Sequence, residues 1–100
     1  MRVEFSPEAK AEFEDSEGYY ERQVPGLGNR FRVDIHDALA RLRRWPFLGP
    51  VEREGGDIRR LTMSRFPYKL LYSIELDHIY VIAVAHLHRE PDYWSRRGRK

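Results

Sequence analysis

The sequence predicts an α+β domain: an N-terminal strand and a two-helix antiparallel hairpin packed on a curved, mainly antiparallel sheet, followed by a short C-terminal helix or turn. Three observations predict it. Leu27, Phe31, Ile35, Ala38, Leu39, Leu42 and Trp45 recur at spacings of three and four, the period of a helix that buries one face. From Ile58 onward the period becomes two, in runs whose connections are too short for anything but antiparallel pairing. The order strand, helix, helix, strand, strand, strand places the helices on one face of a sheet.

Each element has a local reason. Arg2-Val3-Glu4-Phe5 alternates and reads as a short first strand. Ser6-Pro7 is an N-cap followed by proline at the first helical position, and Glu8 lies where the helix dipole favours an acid. This helix should run to about Glu21 or Gln23 and bury Ala9, Phe13 and Tyr20, with Gly18 weakening its last turns. Val24-Pro25-Gly26-Leu27-Gly28 forces a turn, and Pro46 ends the second helix. Residues 46–57 read as loop. Ile58–Ser64, Phe66–Ile74 and Ile79–Leu87 read as strands, with Leu76-Asp77-His78 as the hairpin between the last two.

Alternation assigns Phe66, Tyr68, Leu70, Tyr72 and Ile74 to the core, with Leu61 and Met63. Arg60, Thr62, Ser64 and Lys69 then point to the open side of the sheet. Both parities of the last strand are apolar, as in a central strand covered on both faces. A first strand paired parallel beside it would make it central. Residues 1–100 read as a single domain, with 97–100 as a frayed basic tail.

Composition narrows the function. The chain has 100 residues, 41% hydrophobic and 34% charged, which is globular rather than disordered. It has no cysteine, which excludes a disulfide framework, a cysteine-based zinc site and a cysteine nucleophile. No apolar run approaches a membrane span and no signal-peptide core is present, so a cytoplasmic protein without membrane attachment is expected. Of the 18 basic residues 15 are Arg; residues 51–100 hold ten bases against seven acids, whereas the first 21 residues hold seven acids against two bases. An Arg-rich half reads either as a salt-bridged surface or as a face for an acidic partner.

Ala85-His86-Leu87-His88-Arg89 closes the last strand. Two histidines two residues apart share a side by strand alternation, and imidazole is a side chain that can give or take a proton. With Arg60, Lys69, Arg89 and Tyr93 they could form a metal-free phosphoryl-transfer site. A base would take the 2′-OH proton of RNA, and cations would stabilise the charge on phosphorus. The alternative is that His86 satisfies a buried carbonyl and His88 lies on the surface. A metal site is not expected, because no third ligand accompanies His-x-His, and no cofactor motif is present; Gly26-Leu27-Gly28 is a turn. Arg41-Leu42-Arg43-Arg44 reads as a solvated helix face, and Trp45 and Phe47 as core or a lid over it. Exposed apolar residues beside the hairpin could form a groove for a partner segment.

Ile58-Arg59-Arg60-Leu61, Arg65-Phe66-Pro67-Tyr68-Lys69-Leu70-Leu71-Tyr72, and Ile79 through Ala85-His86, Arg89, Pro91, Tyr93-Trp94 and Arg97 together resemble the RelE/ParE superfamily. These are toxins of bacterial type II toxin–antitoxin modules, also described as plasmid stabilisation proteins. Phe5-Ser6-Pro7-Glu8-Ala9, Phe13 and Tyr19-Tyr20 fit as well. The resemblance implies a toxin held inactive in a hetero-oligomer by a cognate antitoxin, whose acidic segment orders on wrapping the hairpin and the sheet edge. It implies two possible targets. ParE-like members poison DNA gyrase without catalytic residues, and the wording of the motifs is nearer to these. RelE-like members cleave mRNA on the ribosome; that branch would use Lys69, Arg89, His86, His88 and Tyr93. Arg59, Arg60 and Arg65 stand in the general area of its lysine-rich patch, and Trp94 and Arg97 join them as candidate target-binding residues. A third reading is a non-toxic binding module that has kept the fold.

Overall fold

The computed structural model describes residues 1–97. The chain runs β1 (Arg2–Phe5), α1 (Pro7–Gln23), α2 (Leu27–Arg44), β2 (Arg59–Thr62), β3 (Tyr68–Ile74) and β4 (His78–His86). The predicted strands are trimmed for physical reasons. Pro67 has no N–H to give a ladder, so β3 begins at Tyr68. His78 opens β4 instead of lying in the hairpin, because its carbonyl accepts the turn-closing bond from the Glu75 N–H at 2.8 Å.

The Ser6 hydroxyl accepts from the Ala9 N–H at 3.0 Å, capping α1, and donates to the Ile82 carbonyl at 3.3 Å. Ser6 is fully buried, so it ties the start of α1 to β4. Ser6→Ala removes the cap and leaves the Ile82 carbonyl one partner poorer. It should lower stability by about 1–2 kcal/mol in urea unfolding; an unchanged midpoint would show that water replaces both bonds.

Between the helices, the Glu21 carboxylate accepts from the N–H groups of Gly26 and Gly28, each at 3.1 Å. Gly26 sits at φ 91°, which a side chain would strain. The apolar stripe of α2 buries Phe31, Ile35, Ala38, Leu39 and Leu42 against the sheet. Asp34 is also buried, and its Oδ2 accepts from the N–H groups of Arg65 and Phe66, both at 2.9 Å. One carboxylate thereby fastens the β2–β3 turn to α2.

The sheet order is β1-β4-β3-β2, with β1 parallel to β4 and the other pairs antiparallel. β4 is central. The helices cover one of its faces; on the other, Leu71, Tyr80, Ile82, Ala83 and Ala85 pack with Trp94 and Tyr93 from the turns after β4. The register between β3 and β4 shifts at Leu71/Tyr72: Leu71 faces Ala83 and Tyr72 faces Val81, leaving Ile82 as an extra residue. Alternation on β4 therefore breaks at Ile82–Ala83.

The short β1 ends at Phe5↔Val81, so β4 outruns its partner. Side chains take over along that edge. The Ile82 carbonyl accepts from Ser6 and from Arg97 (2.9 Å), and the Val84 N–H donates to Glu12 (2.9 Å). An otherwise bare strand edge is closed in this way.

Two expectations change. Trp45 and Phe47 are neither core nor lid; they are 53% and 70% exposed. The backbone beneath them is bound to the sheet by Tyr72 and Arg59, which turns the side chains outward. The basic tail expected from residue 97 does not begin there, because Arg97 is anchored; residues 98–100 lie outside the described residues.

Candidate functional site

On the sheet face turned away from the helices, Lys69 and Arg60 do come together. The organising group is Glu52, in the loop before β2. Lys69 Nζ donates to Glu52 Oε2 at 2.6 Å and Arg60 Nη1 lies 3.3 Å from Oε1, while Arg60 also donates to the Val51 carbonyl at 2.9 Å. Backbone bonds from Glu52 to Ile58 and from Arg60 to Pro50 hold this loop along β2. Two cations share one carboxylate, so half of the positive charge expected to face a phosphate is answered within the chain.

His86 does not join them. It is paired with Tyr68, so its ring points to the helix side and packs on the Tyr68 ring at 5.1 Å. Lys69 is paired with Ala85 on the opposite face. The bulge at Ile82 is the cause, because it puts Val84 and His86 on the face that uninterrupted alternation from Tyr80 would deny them. His88 stays beside His86: its N–H donates to His86 Nδ1 at 3.0 Å, and the rings are 5.0 Å apart. His86 and Tyr68 border a cleft with Asp15, Ser16, Tyr19 and Tyr20 of α1. Tyr20 in this group is pushed up to about 12 by burial and by its hydrogen bond with Tyr68. Among the described residues no cluster of three His, Asp or Glu side chains could hold a metal ion.

The turns after β4 carry the remaining candidates. Arg89 and Lys69 border a small cleft of about 110 Å³ with Glu52, Glu90 and Tyr93. The Arg89 guanidinium lies over the Tyr93 ring, 3.9 Å from its centroid. The Tyr93 hydroxyl, however, points away from the cleft and donates to Glu12 Oε2 at 2.8 Å. Burial and this carboxylate push Tyr93 far above an ordinary tyrosine, and its hydroxyl proton is committed to Glu12 rather than to the cleft. Arg97 grips both oxygens of Glu12 at 2.8 and 2.9 Å. Burial alone would push Glu12 up, but hydrogen bonds from Arg97, the Val84 N–H and Tyr93 outweigh it, and its carboxyl lies below the usual value. Trp94 is 7% exposed in the second core cluster, with Arg53 5.5 Å above its ring. Tyr93, Trp94 and Arg97 thus hold the segment down.

Arg59 and Arg65 go elsewhere. Arg59 donates to the Gly49 carbonyl at 2.6 Å, and Arg65 borders a cleft of about 560 Å³ with Leu27, Arg30, Val33 and Phe66 at the start of α2. Sequence reasoning missed Glu52 and Glu12. An acid in a glycine-rich loop and one more acid on an acidic helix carry no local signal; only long-range contacts single them out.

The described architecture is a two-helix hairpin on an open, four-stranded mixed sheet, with its cations scattered over several surfaces. That is the fold the sequence resemblance implies. The family model of the ParE toxin of type II toxin–antitoxin systems, parDE, matches residues 3–91, and the chain belongs to that family. Among solved structures, a chain of the chromosomal ParDE toxin–antitoxin system from P. aeruginosa superposes with a TM-score of 0.74 at 18% identity, covering 86% of this chain and 95% of that one. At that identity the likeness shows the fold. No curated protein sequence matches the chain. Among the described residues no helix is long and apolar enough to cross a membrane.

Proposed function

We propose that this ParE-family toxin arrests growth by binding DNA gyrase, without catalysis, and that a cognate antitoxin holds it inactive. One observation carries the choice of mechanism. The groups that metal-free RNA cleavage would need are dispersed: Lys69 is on Glu52, His86 is on the opposite face, and the Tyr93 hydroxyl is on Glu12. A base and an acid must both reach one phosphodiester for that chemistry.

The antitoxin reading rests on the cleft at the start of α2. Leu27, Val33 and Phe66 offer apolar contact and Arg30 and Arg65 flank it, which suits an acidic segment that orders on binding.

Purified protein added to gyrase should block supercoiling of relaxed plasmid, and the antitoxin should restore it. Lys69→Ala combined with Arg89→Ala should leave growth arrest intact. Loss of toxicity in that double variant, together with new mRNA ends on translating ribosomes, would instead select the ribonuclease branch. A wild-type chain that does not slow growth would leave only the non-toxic binding module.

A further inference from the structure

Trp45, Phe47 and Leu48 follow one another at the C-terminal end of α2 and are 53%, 70% and 46% exposed. With Arg44 and Pro46 they line an apolar cleft of about 660 Å³. Neither aromatic ring is bare on both sides. The Arg44 guanidinium lies 4.9 Å from the Trp45 ring centroid and that of Arg59 lies 5.0 Å from Phe47. Arg41 and Arg43 belong to the same last turn of α2.

The loop is held rigidly from below. The buried Tyr72 hydroxyl donates to the Pro46 carbonyl at 2.8 Å and accepts from the Gly49 N–H at 3.1 Å. Arg59 donates to the Gly49 carbonyl, and the Leu48 N–H closes a turn on the Trp45 carbonyl at 3.0 Å. Gly49 itself has no room for a side chain, because a Cβ would run into the Arg60 carbonyl. Aromatic side chains on a fixed backbone lose little freedom on binding, and Trp and Arg are the residue types that dominate protein interfaces.

We propose that this loop is a second docking surface, and that its occupant is an acidic protein segment of the toxin's cellular target that inserts apolar side chains between the rings. The basic rim argues for the acid, and the apolar cleft argues for a protein rather than a nucleic acid. The surface is separate from the cleft at the start of α2. Their nearest lining residues on α2, Val33 and Arg44, are eleven positions apart, about 16 Å at 1.5 Å per residue. The inference rests on the chain being a toxin and does not require its target to be gyrase.

The test uses the full chain carrying Trp45→Ala with Phe47→Ala, and a second variant, Arg43→Glu with Arg44→Glu, that keeps the apolar atoms. Both should melt with the wild type and still co-purify with the cognate antitoxin. Both should lose growth arrest, reflecting a drop in target affinity of roughly 30-fold or more, the loss expected when interface anchors are removed. Growth arrest equal to wild type in either folded variant overturns the proposal. So does parallel loss of antitoxin binding, loss of a plasmid-DNA complex formed by the wild type, or conversion of a wild-type dimer to monomer, since each names a different occupant. A wild type that does not arrest growth overturns it together with the toxin reading. Failure of the gyrase reading is distinguishable: supercoiling would be unaffected by a wild type whose toxicity still depends on Trp45 and Phe47.

Discussion

Phe31→Ala should cost about 3–5 kcal/mol of unfolding free energy, the range for removing a fully buried phenylalanine and leaving its cavity. Phe31 is inaccessible to solvent at the centre of the hairpin–sheet interface. Its ring packs within 6.1 Å of Phe13, 5.5 Å of Tyr20, 5.2 Å of Phe66 and 4.9 Å of Tyr68. Phe13 and Tyr20 belong to α1, Phe66 to the turn before β3 and Tyr68 to β3, so one deletion in α2 loosens its packing on both α1 and β3. A domain of this size has a total stability of about 5–15 kcal/mol, so a large fraction would be lost. Urea unfolding followed by circular dichroism reads the effect. Phe31→Leu, which keeps most of the volume, should cost well under half as much. A loss below about 1 kcal/mol in the alanine variant would mean that the neighbouring rings close the cavity.

The second large effect is expected at Glu12. Its carboxylate accepts from the Val84 N–H, the Tyr93 hydroxyl and two Arg97 nitrogens, with both charged side chains mostly buried. Glu12→Ala strands the Val84 N–H and the Tyr93 hydroxyl, leaves Arg97 only the Ile82 carbonyl, and should destabilise by about 3 kcal/mol, the low end for breaking a buried pair from one side. It should also free the turns after β4 and expose Trp94, which a red shift of tryptophan emission would report. Arg97→Ala should reproduce much of the loss. An additive double variant would show that the two side chains do not act as a pair.

The same group predicts the response to acid. The folded-state value of Glu12 is depressed, so its stabilisation is present above the unfolded carboxylate value and is lost as the pH falls through the folded one. Acid unfolding of the wild type should therefore be steeper than that of Glu12→Gln below about pH 4. At the alkaline end the sign reverses. Tyr20 is raised to about 12, so its contribution is complete below the ordinary tyrosine range and fades as the pH climbs toward that value. Stability curves of wild type and Tyr20→Phe should converge there.

Local signals determined the elements of this protein. Ser6-Pro7, the Pro25-Gly26 break and Pro46 set the helix limits within a residue or two, because caps and breakers act on the backbone next to them. The stripe from Leu27 to Leu42 and the apolar parities of β3 and β4 were enough to stack the hairpin on a sheet with β4 at its centre. Trp45 shows where this reading stops. It continues the apolar spacing of α2 in sequence, yet it follows the helix and faces solvent, since Tyr72 and Arg59 hold the loop from the sheet side.

What only the tertiary structure decided is which side chains meet. A single extra residue at Ile82 sends His86 to the helix side and leaves Lys69 on the other, and no count of alternating residues contains that shift. Glu12 and Arg97 lie 85 positions apart, and their pairing exists only because β1 is too short to cover the edge of β4. Periodicity is a property of neighbours along the chain. A site is a property of neighbours in space, and register, strand length and one bulge set those.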